Sequence, residues 1–80
     1  MDEKSLENYI QEITGLLKDK AKRAKLEADH PKENESADYN TGCLMTFHEV
    51  ISMMKNQAPI FDLSQEDIGL ADIEPMRDLI

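Results

Sequence analysis

The chain has 80 residues, enough for one domain, and its 17 acidic residues against nine basic ones give a net charge of −8. This acidity argues against general binding of nucleic acid or anionic lipid, since both require a basic surface. The single cysteine, Cys43, excludes an internal disulfide and suits a reducing compartment. No apolar run approaches the length that spans a bilayer. We therefore expect a cytoplasmic protein that binds neither nucleic acid nor membrane.

The first predicted element is a long amphipathic helix over residues 3–28. This segment contains no proline, and its apolar residues recur at intervals of three and four, which is the helical period. They are Leu6, Tyr9, Ile10, Ile13, Leu16, Leu17, Ala21, Ala24 and Ala28. Because these residues fill one arc of the helix, the helix needs a partner along that arc.

A polar break around Pro31 predicts a turn over residues 29–35, and a second helix follows over residues 36–58. The apolar residues of this second helix cover an arc of about 180°. They are Tyr39, Cys43, Leu44, Phe47, Val50, Ile51, Met53, Met54 and Ala58. Among them, Phe47 and Ile51 are the candidate core residues. Pairing of the two apolar arcs predicts an antiparallel two-helix hairpin.

The remaining residues, 59–80, are predicted to form a packed tail with short helical turns. Ser64 and Asp67 have the spacing of a capping box, and Gly69 stands where it would end the helix after about one turn. Pro75 suits the first position of a final helical turn. The tail is too apolar for a solvated linker, so we expect it to pack on the hairpin.

The width of the second apolar arc favours self-association. One neighbouring helix covers only a narrower stripe, and a chain of this size without disulfides is marginally stable alone. We therefore expect an all-α fold with one domain, residues 1–80, in which two hairpins pair as a dimeric four-helix bundle. The candidate dimer interface comprises Val50, Met53 and Met54. A monomer in which the tail supplies the cover is the alternative.

His48 and Glu49 begin like the zinc-protease motif H-E-x-x-H, in which two histidines one turn apart hold the metal. Position 52 of this chain is a serine, so the second ligand is missing. The helical wheel places His48 and Glu49 off the apolar arc. We therefore expect a solvated pair, no catalytic residue, and no metal or other cofactor.

A set of residues in the second half of the chain carries a resemblance to other proteins. They are Gly42, Phe47, Glu49, Val50, Ser52, Gln57, Ala58, Phe61, Gly69, Leu70, Asp78 and Leu79. Through them, residues 39–80 resemble small uncharacterised bacterial or phage α-helical proteins of unknown function. The resemblance implies no activity. A tyrosine often stands there at the position of His48, which implies a surface role for that position.

These features favour a non-enzymatic protein-interaction module, acting as a homodimer and on an unidentified protein partner. One alternative is an acidic decoy, similar to an antitoxin, that inhibits a basic partner. Its binding would weaken steeply with salt, because charge pairing would dominate it. The other alternative is a metal-binding protein or an enzyme that uses His48 and Glu49.

Overall fold

The structure is a computed structural model that describes residues 2–32 and 36–80. Helix α1 spans Glu3–Asp29 and helix α2 spans Ala37–Gln57. The two helices pack together as a hairpin, and the described residues contain no strand. The all-α class and the pair of long helices predicted from the sequence are therefore confirmed. Part of the predicted turn, residues 33–35, lies outside the described residues.

Both long helices begin after a residue whose side chain caps the helix N-terminus. Asp2 is the N-cap of α1, and its carboxylate accepts a hydrogen bond from the backbone N–H of Ser5 at 2.7 Å. This hydrogen bond lowers the pKa of Asp2. Ser36 is the N-cap of α2, and its hydroxyl oxygen accepts a hydrogen bond from the backbone N–H of Tyr39 at 3.3 Å. Each cap satisfies one of the backbone donors that a helix start leaves unpaired.

The tail is built from tight local turns. A 3₁₀ turn at Ala58–Phe61 follows α2 directly, and a short helix, α3, spans Pro75–Asp78. Between them, Asp67 N–H donates to the Ser64 hydroxyl at 3.0 Å and Ser64 N–H donates to the Asp67 carboxylate at 2.8 Å. This reciprocal pair is a capping box. Gly69, at φ 75°, ends the turn in the left-handed conformation that glycine adopts without strain.

The core lies between the hairpin and the tail. Its buried apolar residues are Ala21, Leu44, Ile51, Ala58, Ile68, Leu70, Ile73 and Leu79. The last four belong to the tail, so the tail is part of the core rather than an appendage. Of the two candidate core residues, Ile51 is fully buried, whereas Phe47 is half-buried and packs against the cluster.

Polar side chains of α1 hold the tail along one side of that helix. Three of them, Gln11, Lys18 and Lys25, are seven residues apart, so they lie nearly above one another on the helix surface. The Asp72 carboxylate is one of the groups that they bind. The hydrogen bond that it accepts from the Lys18 ammonium lowers the pKa of Asp72. The contacts run from Gln11 Nε2 to the Glu66 and Asp67 carbonyls at 3.0 Å, from Lys18 Nζ to Asp72 at 2.9 Å, and from Lys25 Nζ to the Ile80 carbonyl.

A single residue of α2 binds the tail at separate points. The carbonyl oxygen of Lys55 accepts a hydrogen bond from Gln65 Nε2 at 3.0 Å. Its ammonium donates to the Ile73 carbonyl and lies 3.5 Å from the Glu74 carboxylate. The tail is therefore fixed to both helices, and it covers the same side of the hairpin on each.

Candidate functional site

His48 and Glu49 lie on α2, as predicted from the sequence. His48 is half-buried and Glu49 is exposed. Within the described part of the chain, neither side chain is recorded in a hydrogen bond or an ion pair, and no group of three or more His, Cys, Asp or Glu residues could hold a metal ion. The other histidine, His30, lies at the end of α1. His48 is therefore within α2, whereas His30 is the residue that caps the C-terminus of α1.

The apolar arc of α1 is only partly buried. Ala21 and Ala24 are covered, but a row of larger side chains remains exposed. Tyr9 is 61% exposed, Ile13 is 42% exposed and Leu16 is 50% exposed. Their intervals of four and three residues place them on one side of the helix. Within the described residues, the two helices and the tail therefore leave a stripe of α1 exposed.

A second exposed row runs along α2. Tyr39 is 70% exposed and Met53 is 57% exposed, with the half-buried Val50 between them. Met54 is half-buried and packs against the core cluster. Of the three candidate interface residues, Met53 is thus the most accessible, Val50 is partly accessible, and Met54 contributes to the core of its own chain.

Both exposed rows face away from the tail. At about 100° per residue, Tyr9, Ile13 and Leu16 lie roughly 180° round α1 from the three side chains that bind the tail. By the same measure, the α2 row lies roughly 140–160° from Lys55. The two rows therefore share the side of the hairpin that the tail leaves open. We call this surface the apolar face; its residues are Tyr9, Ile13, Leu16, Tyr39, Val50 and Met53.

The net charge changes along α1. Acidic side chains dominate the first half of the helix, whereas basic side chains dominate residues 18–25. The first half contains the acids Glu3, Glu7 and Glu12 and the base Lys4; residues 18–25 contain the bases Lys18, Lys20, Lys22, Arg23 and Lys25 and the acid Asp19. At the edge of the face on α2, a hydrogen bond from the Tyr39 hydroxyl to the Cys43 side chain raises the pKa of Tyr39. The first half of α1 therefore has net negative charge and residues 18–25 have net positive charge, while the last turn contains the acids Glu27 and Asp29.

A second accessible surface lies between the first turns of α1 and the tail. It is a cleft of about 510 Å³, and none of the residues of the apolar face lines it. Its apolar floor is formed by Leu6, Ile10, Leu63 and Ile68, and its rim carries Glu3, Glu7, Glu66 and Asp67. We call it the acidic cleft. It combines an apolar floor with four carboxylates.

Comparison with known proteins gives no further indication of function. No family model, curated protein or solved structure matches the chain. The resemblance of residues 39–80 to small bacterial or phage proteins therefore stays a prediction. In the described residues, no helix is both long and apolar enough to cross a membrane. The apolar face and the acidic cleft are thus the features of the described residues that bear on function.

Local sequence patterns indicate these surfaces only in part. The apolar arc of α1 was visible, but its division into a buried side and an exposed side depends on where the tail packs. The seven-residue spacing of Gln11, Lys18 and Lys25 places them on the side of α1 that binds the tail. This could be recognised only from their hydrogen-bond partners in the structure. The acidic cleft joins residues more than 50 positions apart, which no local pattern reports.

Proposed function

We propose that the chain is a non-enzymatic protein-interaction module and that the apolar face is its interaction surface. The observation that carries this proposal is the pair of exposed apolar rows on one side of the hairpin. Contiguous apolar surface of this kind is typical of protein-binding sites. Removing a large apolar side chain from water contributes up to about 1.5–3 kcal/mol, so a partner that covers several of them gains a substantial driving force.

The partner that we propose for the apolar face is a second copy of the chain. The first half of α1 has net negative charge and residues 18–25 have net positive charge, so an antiparallel pair of α1 helices would bring the acidic half of each against the basic segment of the other. A two-fold axis generates this arrangement, because it brings the same patch of each copy together. The resulting assembly is a four-helix bundle, in which the two tails lie on the outside.

Light scattering across a concentration series tests the dimer. We expect the wild-type mass to be twice the 9.1 kDa of one chain. Met53→Lys should give a folded monomer, because an exposed methionine tolerates lysine in the free chain but not in a buried interface. Met76→Lys is the matched control, since Met76 is 67% exposed and belongs to α3 in the tail. A wild-type mass near 9.1 kDa at high micromolar concentration would remove the second copy as the partner.

Cross-linking tests the antiparallel arrangement separately. Ile13 is the middle residue of the α1 row, so a two-fold axis near it would place the two copies of Ile13 side by side. In a Cys43→Ser background, Ile13→Cys should then form a disulfide-linked dimer on mild oxidation. Tyr9→Cys should not, because its two copies would be about 12 Å apart along the helix axis, and a disulfide requires Cα atoms within about 7 Å. A dimer in which only Tyr9→Cys cross-links would contradict this register while leaving the interface standing.

A further inference from the structure

The acidic cleft has walls that are held in place before any ligand arrives. On one wall, the Gln11 side chain donates hydrogen bonds to the backbone carbonyls of Glu66 and Asp67, both at 3.0 Å. On the other, the reciprocal hydrogen bonds between Ser64 and Asp67 fix the turn that faces α1. A site with fixed walls loses little conformational entropy on binding, so its contacts contribute more fully to affinity.

The floor of the acidic cleft is apolar and accessible. Leu6 is 43% exposed and Leu63 is 40% exposed, whereas Ile68 is buried beneath them. The cleft volume of about 510 Å³ lies within the range of roughly 300–1,000 Å³ that ligand sites occupy. This floor can therefore take an apolar side chain from another molecule.

The rim of the acidic cleft is negative. Glu3, Glu7, Glu66 and Asp67 line it, and none of the described lysines or arginines does. Among the residues that the structure describes, none of these four carboxylates is in an ion pair. A cation at the rim would therefore gain four nearby negative charges without breaking an ion pair of any of them, whereas a phosphate or an anionic lipid would be repelled.

We propose that the acidic cleft binds a basic amphipathic segment of a partner protein, in which an apolar side chain lies within one helical turn of lysines or arginines. The apolar side chain enters between Leu6 and Leu63, and the basic side chains pair with the carboxylates of the rim. Complementary charge speeds association and selects the partner, while the apolar floor supplies binding energy. This role is separate from self-association, because the apolar face remains free to bind a second copy.

The probe for this proposal is a synthetic helical peptide of leucine and lysine, labelled with a fluorophore and titrated with the full chain. Two further peptides separate the contributions. In one, serine replaces leucine; in the other, glutamate replaces lysine. Fluorescence anisotropy should show binding of the leucine–lysine peptide, at least tenfold weaker binding of the serine peptide, and no binding of the glutamate peptide. Equal binding of the first two peptides would overturn the role of the apolar floor.

A charge-matched pair of variants locates the site. Glu7→Lys changes the rim, whereas Glu49→Lys makes the same change in net charge at an exposed position of α2. We expect Glu7→Lys to weaken peptide binding about tenfold and Glu49→Lys to weaken it no more than about twofold. Equal losses would show attraction by net charge alone and overturn the proposal.

Chemical-shift mapping of the wild-type chain gives an independent measurement that needs no substitution. The leucine–lysine peptide should shift the methyl signals of Leu6, Ile10 and Leu63. It should leave those of Ile13 and Met53, on the apolar face, in place. Shifts confined to the apolar face would overturn the proposal and assign the peptide to the surface that we propose for dimerisation.

Discussion

Gly69 offers the sharpest test of how the tail docks on α1. Its φ of +75° is a conformation that side chains disfavour, and a Cβ added there would lie 2.3 Å from Thr14 Oγ1. Thr14 is buried, and its hydroxyl donates to the carbonyl of Ile10 at 2.8 Å, so it cannot move without losing that hydrogen bond. Gly69→Ala should therefore be strongly destabilising.

The expected cost has two parts. An alanine in the left-handed conformation costs about 1–2 kcal/mol, and forcing an extra methyl into a packed site costs about 1–3 kcal/mol more. Urea unfolding followed by circular dichroism should thus show a loss of about 2–5 kcal/mol for Gly69→Ala. Gly15→Ala is the control: Gly15 lies inside α1 with nothing within 4 Å of an added Cβ, so alanine there should stabilise by about 0.5–1 kcal/mol.

A second substitution separates the two parts of the cost. Combining Gly69→Ala with Thr14→Ala removes the hydroxyl that the new methyl would meet, so part of the penalty should be relieved relative to the sum of the two single variants. If Gly69→Ala and Gly15→Ala had the same effect on stability, the close contact between the tail and α1 would be refuted.

Two further predictions concern the core and the ion pair that holds the tail. Ile51→Ala should cost about 2–5 kcal/mol in urea unfolding, because Ile51 is fully buried; a loss below 1 kcal/mol would contradict the position of α2. The pKa of Asp72 lies below its ordinary value of 3.8 because Lys18 donates a hydrogen bond to its carboxylate. The contact therefore stabilises the fold fully above pH 3.8, and this stabilisation is lost as the pH falls through the lowered pKa. The stability difference between wild type and Lys18→Met, measured by urea unfolding at pH 7 and pH 2, should accordingly be larger at pH 7.

The sequence predicted those elements whose signals are local. The period of three and four residues located both long helices, and the Ser64–Asp67 spacing predicted a capping box whose two hydrogen bonds the structure contains. These features depend on neighbours within one turn of chain. The half-burial of Phe47 could not be predicted in the same way, since a wheel shows which side of a helix is apolar but not how much of it is covered.

The candidate site depends on tertiary placement, and its prediction was correspondingly weaker. Val50, Met53 and Met54 were grouped because all three lie on a wide apolar arc. The structure separates them, since Met54 packs against the core cluster while Met53 is exposed. What divides the arc is the position of the tail, and that position depends on contacts such as Gln11 with Glu66, which are 55 residues apart.

The division of the core between hairpin and tail also bears on how the chain reaches its native state. Half of the eight residues in the core cluster come from residues 68–79, and α1 binds the tail across separations of 54 to 56 residues. Contacts of such long range are slow to form, because loop-closure entropy must be lost before they stabilise anything. A hairpin that forms first would expose apolar surface on both sides. The tail covers one of these sides in the native structure, and the other side is the apolar face. Before the tail packs, two chains could therefore associate through either of these surfaces. Packing of the tail on the hairpin leaves the apolar face as the exposed one of the two.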